Sequence, residues 1–366
     1  MDLKKIFSEI ECYKDKEVIL EGWIRNHRKQ KDFGFIDFSD GTCFKHMQLV
    51  YDNSISTFED IQKYHIGSSI KVKGTLTKSS GKGQSYEVKV SSIKLLGDCP
   101  LDYPIQPKRH SAEFLREQAY LRPRTNLFQA VFRVRSVAAL AIHTYFGERG
   151  YVYVNTPLIT ANDGEGAGEM FQVTTLDLEK LPSKVDYSKD FYGKKVGLTV
   201  TGQLEAETFA TAFKKTYTFG PTFRAENSNT KTHASEFWMI EPEIAFCDLS
   251  EVMDIEEDML KYIVKYVLKN AKDEMEFLDK FVEKGLIAKL EKLINSTFTR
   301  ITHEEVITIL KNSGKDFEFT PSYGEDIAKE HEKYITEYFD GPVFITDWPR
   351  DIKAFYMKEN PDGKTV

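Results

Sequence analysis

A multidomain α+β protein is predicted, on three observations. At 366 residues the chain is too long for one ordinary compact domain. Its first hundred residues hold five short β-like runs separated by Gly, Asp, Asn and Ser clusters. The remainder mixes long stretches of helical periodicity with isolated strand-like runs.

The five runs are Val18–Ile24, Phe33–Phe38, Met47–Tyr51, Ser69–Thr77 and Tyr86–Ser91, rich in β-branched and aromatic residues. So many strands in so short a length close into a small barrel over residues 1–100. An oligonucleotide-binding (OB) type and an SH3-like type satisfy the pattern equally. Pro100, Pro104, Pro107 and Pro123 follow, with Lys108, Arg109, Arg116, Arg122 and Arg124 among them. Prolines this dense make residues 101–125 a stiff hinge rather than a core segment. From Asn126 to Glu148, Phe128, Val131, Val134, Val137, Ala138, Ala141 and Tyr145 recur at helical spacing, and Gly150 ends the helix. Strand-like runs come at Val196–Thr201, Thr216–Phe223 and Glu236–Phe246. A mainly helical region extends over about 249–335, and Gly341–Asp347 reads as a last strand.

Composition narrows the class. Hydrophobic residues make up 41% and charged residues 29%, the balance of an ordinary soluble globular protein. The first residues hold no apolar run suited to a secretory signal, and no stretch of about 18 apolar residues exists, so no membrane span is expected. Cys12, Cys43, Cys99 and Cys247 form no CxxC pair. A disulfide frame or zinc site is therefore not expected, and the cytoplasm is the natural compartment. Net charge is −7, yet residues 1–100 carry 16 Lys+Arg against 14 Asp+Glu. A mildly basic front on an acidic body suits a protein that touches nucleic acid through one part.

The stretch Thr218–Phe246 carries the most chemistry. Two strand-like runs flank a polar loop, with Arg224 at the end of the first and Phe237 near the start of the second. A guanidinium donates several hydrogen bonds in a planar fork and keeps its charge, which suits phosphate. An aromatic ring on the adjoining strand suits stacking on a base. Glu226 can accept from an exocyclic amine or an amide, and His233 can donate to a phosphate tail. This string, with its Phe223-Arg224-Ala225-Glu226 core, resembles motif 2 of the class II aminoacyl-tRNA synthetases. Val131–Pro157, a helix and then a strand ending in proline, looks like motif 1 of the same class, which implies a homodimer with Pro157 at its interface. Ala161–Phe171 is a Gly-rich loop bearing Asp163, Glu165 and Glu169. Without lysine it is no phosphate cradle; its acidic groups suit capture of an ammonium. It resembles the loop of the aspartyl/asparaginyl branch, in its asparaginyl form.

Residues 198–207 separate asparagine from aspartate. The aspartyl family has a Lys three residues after its second Gln, where it pairs with the substrate carboxylate. Here Ala206 stands third after Gln203. A buried aspartate carboxylate would lack its partner, whereas a neutral amide suffers no such penalty. Glu165, Gln203 and Glu241 are the residues that the resemblance assigns to the amino acid. It assigns Arg224, Glu226, His233 and Phe237 to ATP, with Arg224 as the catalytic group. In the front barrel, Glu21–Asp37 interleaves basic residues with aromatics, as recognition of unpaired bases requires. Family barrels hold the central anticodon base with an Arg, a Phe and a Gln, and Arg28, Phe35 and Gln48 occupy the matching positions. Phe33, Phe35 and Phe38 do not share a face, so at least one belongs to the barrel core.

The resemblance implies that the barrel is of the OB type and that a class II antiparallel sheet flanked by helices lies over 126–366. The implied activity is an asparaginyl-tRNA synthetase, with ATP, Mg2+, L-asparagine and tRNA(Asn) as its reactants and partners and no metal ligand among its side chains. Class II enzymes also carry a third motif, a Gly-rich strand and helix whose Arg holds the γ-phosphate. Nothing like it occurs before Val366, so the catalytic domain is expected to be C-terminally incomplete and this chain alone inactive. Two other readings stay open: an aspartyl enzyme of relaxed tRNA specificity, against which Ala206 argues, and a catalytically silent binding protein descended from a synthetase.

Overall fold

The computed structural model describes residues 1–81, 83–164, 169–180, 182–227 and 233–366. The chain divides into two units, Met1–Val137 with Leu268–Ile287, and Ala138–Val267 with Ala288–Val366.

In the first unit, short helices α1 (Leu3–Ser8) and α2 (Ile10–Tyr13) precede β1 (Glu17–Lys29), β2 (Phe33–Ser39) and β3 (Met47–Asp52). After α3 (Phe58–Ile61) come β4 (Ser69–Lys78) and β5 (Tyr86–Gly97). The strands close in the order β1-β2-β3-β5-β4, with β3 and β5 parallel. That order is the OB arrangement and excludes the SH3-like one. The first eight residues of β1 alternate outward and inward. Leu20 and Ile24 meet Ile36, Phe38, Leu49, Ile70, Val72 and Val88 in a core that water does not reach. Gly22 holds an inward position of β1, where a Cβ would sit 2.5 Å from the Ser39 carbonyl oxygen. β1 outruns its apolar signal because it bulges between Ile24 and Asn26 and then continues as polar residues paired with β2.

The segment after the barrel corrects one expectation. Residues 101–125 are more than a stiff spacer. Around α4 (Ala112–Glu117), capped by Ser111 Oγ accepting from Phe114 N at 3.2 Å, they bury Tyr103, Ile105, Leu115 and Leu121 together with Cys99. Their backbone is irregular, so the apolar positions show no period in the sequence.

Helix α5 spans Asn126–Glu148, as its periodicity predicts. Short strands follow: β6 (Val152–Tyr153), β7 (Ile159–Thr160), β8 (Gln172–Val173) and β9 (Val196–Leu198). Then come α6 (Gln203–Phe213), β10 (Lys215–Phe223) and β11 (Glu236–Ile244). β10 and β11 pair antiparallel over their whole length, and β6 joins β10 in parallel. β7, β9 and β8 form a second small sheet. The helical region contains α7 (Leu249–Asn270), α8 (Lys272–Phe281), α9 (Leu286–Asn295), α10 (His303–Lys311) and α11 (Lys329–Tyr338). It is interrupted by β12 (Thr299–Thr302), which pairs in parallel with β13 (Val343–Thr346). Four residues are too few to declare a strand by periodicity, and the partner lies far along the chain. α8 belongs to the first unit: Lys45 Nζ lies 2.8 Å from Asp273 Oδ1, and the rings of Phe44 and Phe277 meet edge-on at 5.2 Å.

Candidate functional sites

Side chains alternate across the β10–β11 ladder, so it has two distinct faces. One is core: Tyr217 and Phe219, with Ile240 and Ile244, pack against Ile142, Tyr145 and Phe146 of α5. The other face is polar. Along β10 it carries Thr216, Thr218 and Thr222, with Arg224 next past the strand end. Opposite Thr216, Thr218 and Thr222 stand Glu243, Glu241 and Phe237. Glu241 and Phe237 are therefore separated by roughly 13 Å of strand on a common surface.

Glu241 is held by three donors: Thr201 Oγ1, Gly202 N at 3.2 Å and Thr218 Oγ1 at 2.9 Å. Gly202 caps the start of α6, and a Cβ on it would meet Thr156 Oγ1 at 2.8 Å, so Thr156 lies beside this carboxylate's anchor. Pro157, next in sequence, is exposed. The Gln203 backbone N donates to Thr201 Oγ1 at 3.0 Å, and its side-chain Nε2 donates to Glu207 Oε1 at 2.9 Å. Ala206 is fully buried, its carbonyl accepting from Thr216 Oγ1 at 3.3 Å. The hydrogen bonds of Gln203 thus run to one carboxylate, Glu207, and one hydroxyl, Thr201.

Glu243 completes the group. Burial, and then the charges of Glu207 and Glu241, raise its carboxyl to about 7 from an ordinary 4.5. Between those two values the folded chain keeps a proton that the unfolded chain has given up. Stability contributed by this group is therefore whole below pH 4.5 and is lost as pH rises through about 7. Glu243→Gln should remove that dependence. Its melting temperature relative to the unsubstituted chain is expected to be higher at pH 8 than at pH 4, as thermal melts across that range will show; a constant difference would contradict the placement.

At the other end, Arg224 is exposed, with its guanidinium carbon 5.5 Å from the centre of the Phe237 ring and its backbone N donating to Ser235 O at 3.1 Å. Cation and ring thus lie within cation–π range of each other on one surface. Glu226 and His233 are exposed in the connection between the strands. Glu165 lies outside the described residues. Its flanks do not: Gly164 stands where a Cβ would be 2.8 Å from Thr201 Cγ2, and Glu169 O accepts from Ala225 N at 2.8 Å. The Gly-rich segment is therefore tied at one side to the Glu241 end and at the other to the residue after Arg224.

A second polar surface lies on the barrel. Arg28 and Phe35 are cross-strand partners on β1 and β2, with the guanidinium carbon 5.0 Å from the ring centre. Arg28 Nη2 donates to Gln48 Oε1 at 3.0 Å, and Gln48 Nε2 donates to Glu87 Oε2 at 3.2 Å. The three residues expected to act together are thus brought together. Phe38 is the phenylalanine that fills the core, while Phe33 stands edge-on to Phe35 at 5.4 Å. Sequence reasoning missed Glu87, which is buried and also accepts from Ser79 Oγ at 2.7 Å. It missed Thr201, Thr218 and Glu243 as well. The alternation Thr216, Thr218, Thr222 was a signal for Thr218, legible only once the register against Glu241 is known.

Comparison with known proteins gives a consistent result. The family described as tRNA synthetases class II (D, K and N) matches residues 111–366, and an OB-fold nucleic acid binding domain matches residues 18–96. The asparagine–tRNA ligase of Acholeplasma laidlawii is 59% identical over all of this chain and 80% of its own length. That of Alkaliphilus metalliredigens is 52% identical with the same coverage. Among solved structures, asparaginyl-tRNA synthetase from Pyrococcus horikoshii complexed with asparaginyl-adenylate aligns with a TM-score of 0.82 at 27% identity, covering 100% of this chain and 78% of that one.

Proposed function

The chain belongs to the class II tRNA synthetases (D, K and N) and within them to the asparagine–tRNA ligases, and from that membership we infer how its polar surfaces divide the ligation of asparagine to tRNA. In the first step the asparagine carboxylate attacks the α-phosphate of ATP, which releases pyrophosphate and leaves asparaginyl-adenylate. In the second, a terminal ribose hydroxyl of tRNA(Asn) attacks the adenylate carbonyl and AMP departs. The observation that carries the assignment is the shared face of β10 and β11, with Arg224 and Phe237 at one end and the anchored Glu241 at the other.

Arg224 holds the α-phosphate and takes up the charge that grows on it; Phe237 stacks on adenine; Glu226 and His233 complete the ATP end. Glu241 accepts from the asparagine α-ammonium, with Gln203 and Glu165 beside it. No side-chain nucleophile is needed, because positioning and preorganised charge lower the barrier. Magnesium accompanies ATP as the counter-ion of its phosphates, and no step is assigned to it.

The carboxylates near Gln203 repel aspartate and tolerate a neutral amide. Titration with non-hydrolysable asparaginyl and aspartyl sulphamoyl-adenosine should show tight binding of the first alone; equal affinities would overturn the specificity. At the barrel, the Arg28–Phe35–Gln48 group takes the anticodon. Phe35→Ala is expected to weaken tRNA(Asn) binding by about 1–3 kcal/mol and leave the adenylate analogue's affinity unchanged, measured by filter binding and titration calorimetry. Exposed Leu140, Val152, Tyr153 and Ile159 with Pro157 support a homodimer through the motif 1 segment. No helix among the described residues is long and apolar enough to cross a membrane. All four cysteines are free thiols, which fits the reducing cytoplasm.

A further inference from the structure

The first unit presents an open cleft of about 1160 Å³ between the barrel, residues 103–112, the start of α5 and the end of α8, and none of the roles above uses it. Its lining includes Arg25, Lys108, Arg109 and Arg124. Asp37 is the one carboxylate among the described lining residues, and His46 Nδ1 already lies 3.0 Å from it. Cationic charge is therefore in excess. Arg25 sits at the β1 bulge, unpaired in the ladder, and its Nε is buried with no hydrogen-bond partner. A buried donor left unmade is costly, so an acceptor supplied from outside would be bound with corresponding strength. Arg124 Nη1 donates to Tyr103 OH at 3.2 Å, which aims a second guanidinium at the same wall region. Phe277 and Phe281 supply apolar aromatic walls. The volume is above the roughly 300–1,000 Å³ of ordinary ligand pockets, so a nucleotide fits with room for its solvent.

We propose that this cleft is a second nucleotide site, in which Arg25, Lys108, Arg109 and Arg124 hold the phosphate of a nucleoside monophosphate unit and the phenylalanines of α8 face its base. The unit is either a free nucleotide or one link of a bound nucleic acid; the chemistry recognised is the same.

Uridine 5′-monophosphate is a suitable probe, because its pyrimidine differs from the purine assigned to Phe237. Calorimetric titration of the full chain should show binding. Arg25→Gln is expected to weaken it roughly 10-fold or more, and so is the double substitution Lys108→Gln with Arg109→Gln. Both latter residues are exposed, so that variant decides the matter if Arg25→Gln fails to fold. Affinity for asparaginyl sulphamoyl-adenosine should not change in either. If the same variants also weaken tRNA binding and uridine monophosphate competes with tRNA, the nucleic acid supplies the phosphate; if tRNA affinity is unchanged, the ligand is a free nucleotide. Failure of the probe to bind at millimolar concentration, or equal binding by the variants, overturns the proposal.

Discussion

Arg224→Ala is expected to lower asparagine-dependent ATP–pyrophosphate exchange by about 10²–10³-fold, measured on a longer chain that contains these 366 residues and carries the third motif. The reasoning starts from where charge develops. As the asparagine carboxylate closes on the α-phosphate, negative charge on the phosphoryl oxygens rises, and a fixed guanidinium stabilises it more than it stabilises bound ATP. Arg224 is exposed, and among the described residues its side chain meets Phe237 and Met239, the latter through Nη2 to Sδ at 4.0 Å. Its removal should therefore leave the melting temperature where it is. A rate loss with unchanged stability and nearly unchanged asparagine affinity would mark Arg224 as a catalytic group. Exchange at the original rate would remove it from the reaction.

Glu241→Gln should weaken asparagine binding by about 2–5 kcal/mol, roughly 30-fold or more. Its carboxylate is fixed by Thr201, Gly202 and Thr218, so it can meet an ammonium without first paying out rotamer freedom. The amide has the same shape but no charge, and one of its ends is a donor that faces other donors. Equilibrium binding of asparagine, with ATP binding as the control, separates the outcomes. Loss of asparagine alone fits the assignment; equal loss of both would mean that the substitution disturbs the whole face, and unchanged asparagine affinity would end it.

How much of this was legible in the sequence depends on how local each feature is. Arg224 and Phe237 announce themselves because each stands where a strand meets a polar loop. The hydroxyls on Glu241 do not. Thr201 comes from the turn before α6 and Thr218 from β10, and only the pairing register brings both to one carboxylate. Gln48 and Glu87 are neighbours through the parallel β3–β5 pairing, a contact between distant segments that no period in either strand encodes. Arg28 and Phe35 were readable because a tight connection between β1 and β2 makes their pairing nearly local. The core of residues 101–125 was hidden by its prolines, whose density reads as a spacer while the intervening Tyr103, Ile105 and Leu115 pack together.

The return of α8 to the barrel's unit has a bearing on how the protein is made. Residues 1–137 emerge from the ribosome first, yet Leu268–Ile287, which belong with them, follow only after all of Ala138–Val267. At about 5–20 residues per second that delay is on the order of ten seconds. For that interval the nascent barrel carries Phe44 and Lys45 without Phe277 and Asp273, an apolar and a charged residue awaiting their partners. Pulse-labelled chains arrested between residues 150 and 260 should be open to proteolysis near residue 44, and chains arrested after the ribosome has released residue 287 should be protected there.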